Sequence, residues 1–205
     1  MSSYETRLDY SHRNVEYLPE DVINANQSVT LLDASNNNIR DVDFVEKFVN
    51  LNSLILDHNC IASDAVFPHN PQLTTLWLNF NNIDELIPFV DNLKISFPNL
   101  KHLSMMGNKA SPPCTEDTFY EYLQYRLQIL SYFDGLEHLD DRSVSQDERE
   151  EAARLYGPSA NPSIADSAAS NISDFVQSLF DKVFSFIDAP TTGRRTRYGG
   201  AASVI

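Results

Sequence analysis

Only two cysteines occur, Cys60 and Cys114. They lie far apart, with no C-x-x-C pair and no histidine at ligand spacing, a pattern that excludes a zinc module and a disulfide framework. Both are expected to be buried thiols. No apolar run reaches the roughly 18 residues needed to cross a bilayer, and the opening "MSSYETRLDYSHRN" is polar where a secretory leader would be apolar. A cytoplasmic protein is expected, with a nuclear one as the alternative, and the N-x-S sequons at Asn26 and Asn171 then carry no glycan. Catalytic signatures are missing as well. There is no P-loop, G-x-S-x-G or G-x-G-x-x-G, and the histidines at 12, 58, 69, 102 and 138 show no H-E-x-x-H spacing. The expectation is a protein without enzymatic activity, cofactor or metal.

Positive charge is also scarce. Residues 1–157 hold 25 acids against 11 bases, so the whole formal charge of −14 rests on them, while residues 158–205 carry four of each sign. A surface that acidic repels phosphate backbones, because nucleic-acid affinity comes largely from Lys and Arg displacing counterions. Protein partners with a basic surface are expected instead, with no direct nucleic-acid contact.

A repeat organises the chain. With the template L-x-x-L-x-L-x-x-N-x-I, the matches are Val29, Leu32, Ala34, Asn37, Ile39, then Leu51, Leu54, Leu56, Asn59, Ile61. Leu73, Leu76, Leu78, Asn81, Ile83 and, more weakly, Leu100, Leu103, Met105, Asn108, Ala110 follow. First positions are 22, 22 and 27 residues apart, within the leucine-rich range of about 20–29. L-x-L puts alternate side chains of a short strand inward, and the asparagine turns the chain while its amide satisfies backbone groups of the turn. Leu8, Tyr10 and Val15 form a degenerate first turn with Arg13 in place of the asparagine, and "LEHLDD" (Leu136, Leu139) looks like a last strand. Atypical ends are expected where terminal repeats cap a core.

Three helices are expected before residue 158. "DELIPFVDNLKISFP" explains the longer fourth spacing, with Leu86, Ile87, Val90, Leu93 and Phe97 at helical period. "TEDTFYEYLQYRLQIL" reads as a second helix with Thr115 as its N-cap, and "VSQDEREEAARLYGP" carries a capping box, Ser145 with Glu148, ending at Gly157. Residues 158–170 read as a small, polar linker. Over 171–188 an amphipathic, Phe-rich helix places Phe175, Leu179, Phe180, Val183 and Phe184 on one stripe, and 189–205 is a basic tail. That helix has three readings: packing back as extra cap, entering a partner's groove, or inserting into a membrane. Acids with a single Lys182 on its polar face disfavour the last, so membrane association is at most indirect. The final Ser203, Val204 and Ile205 fit a carboxyl terminus of the kind PDZ domains take by strand addition.

The runs "LDASNNNI", "LILDHNCI", "LWLNFNNI" and "HLSMMGNKASPP", followed by "YRLQILSYFDGLEHLDDRSVSQDEREEA", resemble the short leucine-rich-repeat proteins with a C-terminal repeat cap, the group of the spliceosomal U2 A-prime proteins. In such caps a Y-R pair precedes the last strand and a Val-Ser/Thr-x-x-Glu-Arg segment follows it. Here Tyr125 and Arg126, Leu139 and Asp140, and Val144, Ser145, Glu148 and Arg149 occupy those places. The resemblance covers residues 29 to about 156 and implies a short α/β leucine-rich-repeat solenoid of about six parallel strands with a helical cap. It also implies a non-enzymatic binding scaffold; a monomer is expected. A likeness within the group to melanocyte-differentiation proteins implies an adaptor in endosomal or lysosome-related traffic. The U2 A-prime likeness implies the alternative, a ribonucleoprotein subunit holding an RNA-binding protein.

Residues between the inward leucines should form one continuous concave face. Its central row is Asp9, Asp33, Ile55, Trp77, Ser104 and Asp140, flanked by His102 and His138 on one side and Asp57, Asn79 and Met106 on the other, with Phe80 one position further. Trp77, Ile55 and Met106 bordered by Asp33, Asp57 and Asp140 compose a candidate hot spot. Phe80 either joins them or tucks under the neighbouring turn. His102, His138 and Asp140 are close enough on adjacent strands to be weighed as a catalytic group, but a polar ladder is ordinary on such a face.

Overall fold

In each of the four clear repeats the three residues centred on the first leucine of L-x-L form a short strand. The computed structural model describes residues 6–157 and 173–184. Strands β1 (Arg7–Asp9), β2 (Leu31–Asp33), β3 (Ser53–Ile55), β4 (Thr75–Trp77), β5 (His102–Ser104) and β6 (His138–Leu139) pair in sequence order, all parallel. The register is Leu8, Leu32, Leu54, Leu76, Leu103, Leu139. From Leu32 onward this leucine row is fully buried, and each side chain contributes about 1.5–3 kcal/mol by leaving water.

The asparagines bind successive coils together. Asn81 Nδ2 donates to the carbonyls of Leu78 in its own repeat and Leu56 in the previous one, while its Oδ1 accepts from Ile61 N–H at 2.9 Å. Asn59 repeats this with Leu56, Ala34 and Ile39, and Asn108 with Met105, Leu78 and Ile83. Asn37 serves the degenerate first turn, where Arg13 N–H donates to its Oδ1 and Tyr10 carbonyl accepts from its Nδ2. An asparagine alone supplies two donors and an acceptor on so short a stem, which is why the template needs it.

The residue before each of these asparagines is left-handed: Asn36, His58, Phe80 and Gly107 have φ of 57°, 55°, 55° and 74°. Asn and Gly accept that conformation readily, whereas a bulky residue such as Phe80 does so at a cost of about 1–2 kcal/mol.

Connections are the six-residue α1 (Glu20–Ala25), a 3₁₀ turn (Asp43–Lys47) and α2 (Leu86–Ser96). In α2 the buried positions are Phe89, Val90, Leu93 and Ser96, with Ile87 exposed instead of buried. The second expected helix, α3, runs Phe119–Tyr132 with Thr118 at its N-cap, three residues later than a Thr115 N-cap implies. The hydroxyls of Thr115 and Thr118 lie 2.7 Å apart, and Thr118 bonds back to the Pro113 carbonyl. That local turn competes with the helix for the same backbone. A seventh strand, β7 (Arg142–Ser143), returns antiparallel against β6 through Asp140, whose φ is 58°. It covers a sheet edge that a purely parallel solenoid would leave unpaired. Helix α4 (Gln146–Tyr156) starts on the expected capping box, with Ser145 Oγ accepting from Glu148 N–H and Glu148 Oε2 accepting from Ser145 N–H, and stops at Gly157.

Two units are separate in the chain, the second beginning at Ala169. Within it, Ser173–Phe184 is helical (α5), so the helical period read over 171–188 holds where the structure describes it. No described helix is long and apolar enough to cross a membrane. The linker at 158–170 and the whole basic tail at 189–205, Ser203 and Ile205 included, lie outside the described residues. Both cysteines are free and half-buried instead of fully buried, and burial raises the Cys114 thiol pKa despite Arg142 nearby.

Candidate functional site

Parallel pairing places Asp9, Asp33, Ile55, Trp77 and Ser104 in one row, as the strand period requires. Trp77 is 42% exposed, Phe80 53% and Met106 38%, while Ile55 is half-buried between Asp33 and Trp77. An indole left in water beside two other large apolar side chains is unusual unless something covers it. Phe80 follows both readings at once: its ring stacks flat on His58, with centroids 4.4 Å apart and planes 6° from parallel, and its other side lies against Gly107. A Cβ on Gly107 would meet Phe80 Cδ1 at 2.4 Å. Gly107→Ala is therefore expected to displace the Phe80 ring from its slot between His58 and Gly107 and to lower stability by about 1–2 kcal/mol, since the residue is also left-handed. Urea unfolding of that variant measures it.

The border is less acidic than the pattern suggested. Asp33 is half-buried, bonded to Arg7 at 2.9 Å and to Ser35. Asp57 Oδ1 accepts from Asn79 N–H at 2.8 Å, and burial outweighs that bond, raising its pKa from the ordinary aspartate value. Two expected face residues turn away from it. Asn79 is buried: its Oδ1 accepts from Ser104 Oγ at 2.7 Å and Met106 N–H at 2.8 Å, and it ties the two coils together instead of facing a partner. Asp140 bonds inward to Met105 N–H at 2.9 Å and Tyr125 OH at 3.3 Å. Burial raises its carboxyl pKa, and its Oδ2 is enclosed without a hydrogen-bond partner. Asn79 and Asp140 are thus parts of the scaffold.

His102 and His138 do meet, their rings 5.0 Å apart, with His138 Nε2 3.1 Å from Ser143 Oγ and a Lys101–Glu137 ion pair at 2.8 Å just before the same two strands. Asp140 hydrogen-bonds to neither ring. Among the described residues no three His, Cys, Asp or Glu side chains gather to hold a metal. The face offers contact area and charge, with no nucleophile-and-base pair among the residues of its central cluster.

Behind the face, the residues that carried the cap resemblance form one polar knot. Arg126 is 2% exposed; its Nε donates to Glu148 Oε1 at 2.7 Å and its Nη1 to the Leu139 carbonyl at 3.0 Å. Tyr122 OH lies 3.4 Å from the same guanidinium. Arg149 donates to the carbonyls of Asp134 and Leu136. One side chain thus links α3, the last strand pair and the N-terminus of α4. That role could be found in the sequence only through the family pattern, because nothing local distinguishes Arg126 from a surface arginine.

Short parallel strands in sequence order, an apolar cluster on the strand side and a capped end define a repeat solenoid. The leucine-rich-repeat family model matches residues 19–169, and the chain belongs to that family. It is 38% identical over 118 residues to the human leucine-rich melanocyte differentiation-associated protein, covering 56% of this chain and 60% of that one. To the U2 small nuclear ribonucleoprotein A' of Emericella nidulans it is 32% identical over 133 residues, covering 64% of this chain and 53% of that one. The matches thus span little more than half the length of these relatives. A chain in the solved Drosophila melanogaster SNF/U2A' complex shares the fold, with a TM-score of 0.57 at 20% identity over 80% of this chain and 86% of that one.

Proposed function

We propose that this protein is a non-enzymatic adaptor whose concave strand face grips one protein around Trp77 and whose α5 and tail engage another. The observation that carries the reading is the exposed cluster of Trp77, Met106, Phe80 and half-buried Ile55 on a face whose polar neighbours are otherwise bonded to one another. A large aromatic kept in water and surrounded by an ordered polar rim is how binding energy is concentrated at protein interfaces. The acidic repeat domain selects a partner with a basic surface, and direct binding to nucleic acid is disfavoured by the same charge. The setting proposed for it is endosomal or lysosome-related traffic in the cytoplasm, as a relative of the human leucine-rich melanocyte differentiation-associated protein. Holding one partner on the face and another on the tail then works by raising their effective concentration.

The 32% identity to a U2 ribonucleoprotein A' favours a second reading, a nuclear subunit that holds an RNA-binding protein on the same face. A repeat chain sharing this fold is seen in complex with SNF, which shows the fold in a protein–protein assembly.

Trp77→Ala is expected to weaken partner capture by at least about 2 kcal/mol, near thirtyfold, while changing unfolding stability by less than about 1 kcal/mol because the side chain is exposed. Affinity capture from cells with wild type, Trp77→Ala and a chain ending at Gly157, alongside localisation, tests both readings. Organelle-traffic proteins lost separately in the two variants support the adaptor. Ribonucleoprotein components retained without the tail support the second reading, and capture unchanged by Trp77→Ala removes both.

A further inference from the structure

A second surface lies on the connection side of the solenoid, where the segments that follow β1 and β2 run side by side. Between them is a cleft of about 700 Å³. Its floor is apolar: Leu18 and Ile23 are buried, and half-buried Phe44 stands edge-on to Phe48 at 6.4 Å. Tyr17, 70% exposed, forms part of its wall. Glu16, Glu20, Asp41, Asp43 and Glu46 ring that floor, against two bases, of which Lys47 already sits 3.7 Å from Glu46. Beyond Arg40–Asp43 the surface continues into a hollow of about 530 Å³ that adds Asp64 and exposed Val66.

We propose that this cleft docks a basic, amphipathic segment of a partner protein, with arginines on the carboxylate rim and an aliphatic or aromatic side chain on the Leu18–Ile23–Phe44 floor. Charge sets the sign of the occupant. Five carboxylates around one opening concentrate a negative potential that repels phosphate-bearing ligands and attracts cationic ones. The floor sets its second property, because apolar area returns energy only when an apolar group covers it, and the stems of arginines lie well on a tyrosine or phenylalanine ring. A cation alone leaves that floor uncovered, and no cluster of three ligating side chains exists among the described residues to hold a metal. The surface is separate from the strand face and does not depend on Trp77.

The test uses the full chain and a short labelled peptide of arginine pairs alternating with single leucines, followed by fluorescence anisotropy, beside a control peptide with glycine at each leucine. Glu16→Lys combined with Glu46→Lys, both at exposed positions, is expected to weaken the leucine peptide about tenfold or more, and Tyr17→Ala severalfold. In a parallel amide NMR titration, Tyr17 and Phe44 signals should move while the indole N–H of Trp77, unique in this chain, stays in place. Equal affinity in the double variant overturns the proposal. So does equal binding of the leucine-free peptide, which marks diffuse charge attraction, or a shift confined to the Trp77 indole, which puts the peptide on the strand face.

Discussion

Replacing Arg126 with methionine is expected to destabilise the repeat domain by about 3–5 kcal/mol, because it leaves the Glu148 carboxylate charged and unpaired inside the protein. The guanidinium is almost fully buried, and four groups, one each on α3, β6, β7 and α4, lie within 3.5 Å of it. Removing both partners, as Arg126→Met with Glu148→Leu, should cost less than the single change. The remaining loss is mainly the α4 capping box, worth about 1 kcal/mol. Chemical denaturation of the single and double variants measures the difference, and a double variant worse than Arg126→Met would show that the charge pair is not the source.

The same pair sets an acid limit. Burial pushes the Glu148 carboxyl up, but the Arg126 hydrogen bond and charge and the Ser145 groups outweigh it, so its folded pKa lies below the ordinary 4.5. A folded value below the unfolded one means stability that is complete above pH 4.5 and is lost as pH falls from there through the lowered value. Asp57 and Asp140 run the opposite way: burial raises both above 3.8, so protonation on acidification relieves a penalty instead of adding one. Glu148→Gln is therefore expected to flatten the fall in stability below pH 4.5.

Asn81→Ala should cost about 3 kcal/mol or more, although it removes only a short polar side chain. It strands the Ile61 N–H and takes away the shared donor of the Leu56 and Leu78 carbonyls, all in a buried stretch. Each buried group left without a partner costs about 1–3 kcal/mol. The loss acts between coils, so it should separate unfolding of residues before Asn81 from those after it, visible as a broadened transition or uneven amide exchange. Asn24, exposed in α1 with its side chain 3.5 Å from that of Gln27, is the comparison: Asn24→Ala should move stability by well under about 1 kcal/mol.

The spacing of leucine and asparagine determined the repeat register, the buried leucine row and the coil-to-coil amide ladder, because those features depend on side-chain chemistry at a fixed period. Ser145 with Glu148 likewise determined where α4 begins, through contacts three residues apart. The face was legible only as far as the strands last. Each strand is two or three residues, so Ile55 and Trp77 fall on the expected side, but Asn79 lies beyond the strand end. There the left-handed turn at Phe80 redirects the chain, and Ser104 and Met106 claim the Asn79 amide. Asp140 was misplaced for the same reason, since its own left-handed backbone and the tyrosine delivered by α3 draw its carboxyl inward. The antiparallel β7, the late start of α3 and the burial of Arg126 were decided by tertiary structure alone. Each answers a need, an uncovered sheet edge, a turn closed by threonine hydroxyls or a carboxylate needing a cation, that exists only once segments distant in the chain are brought together.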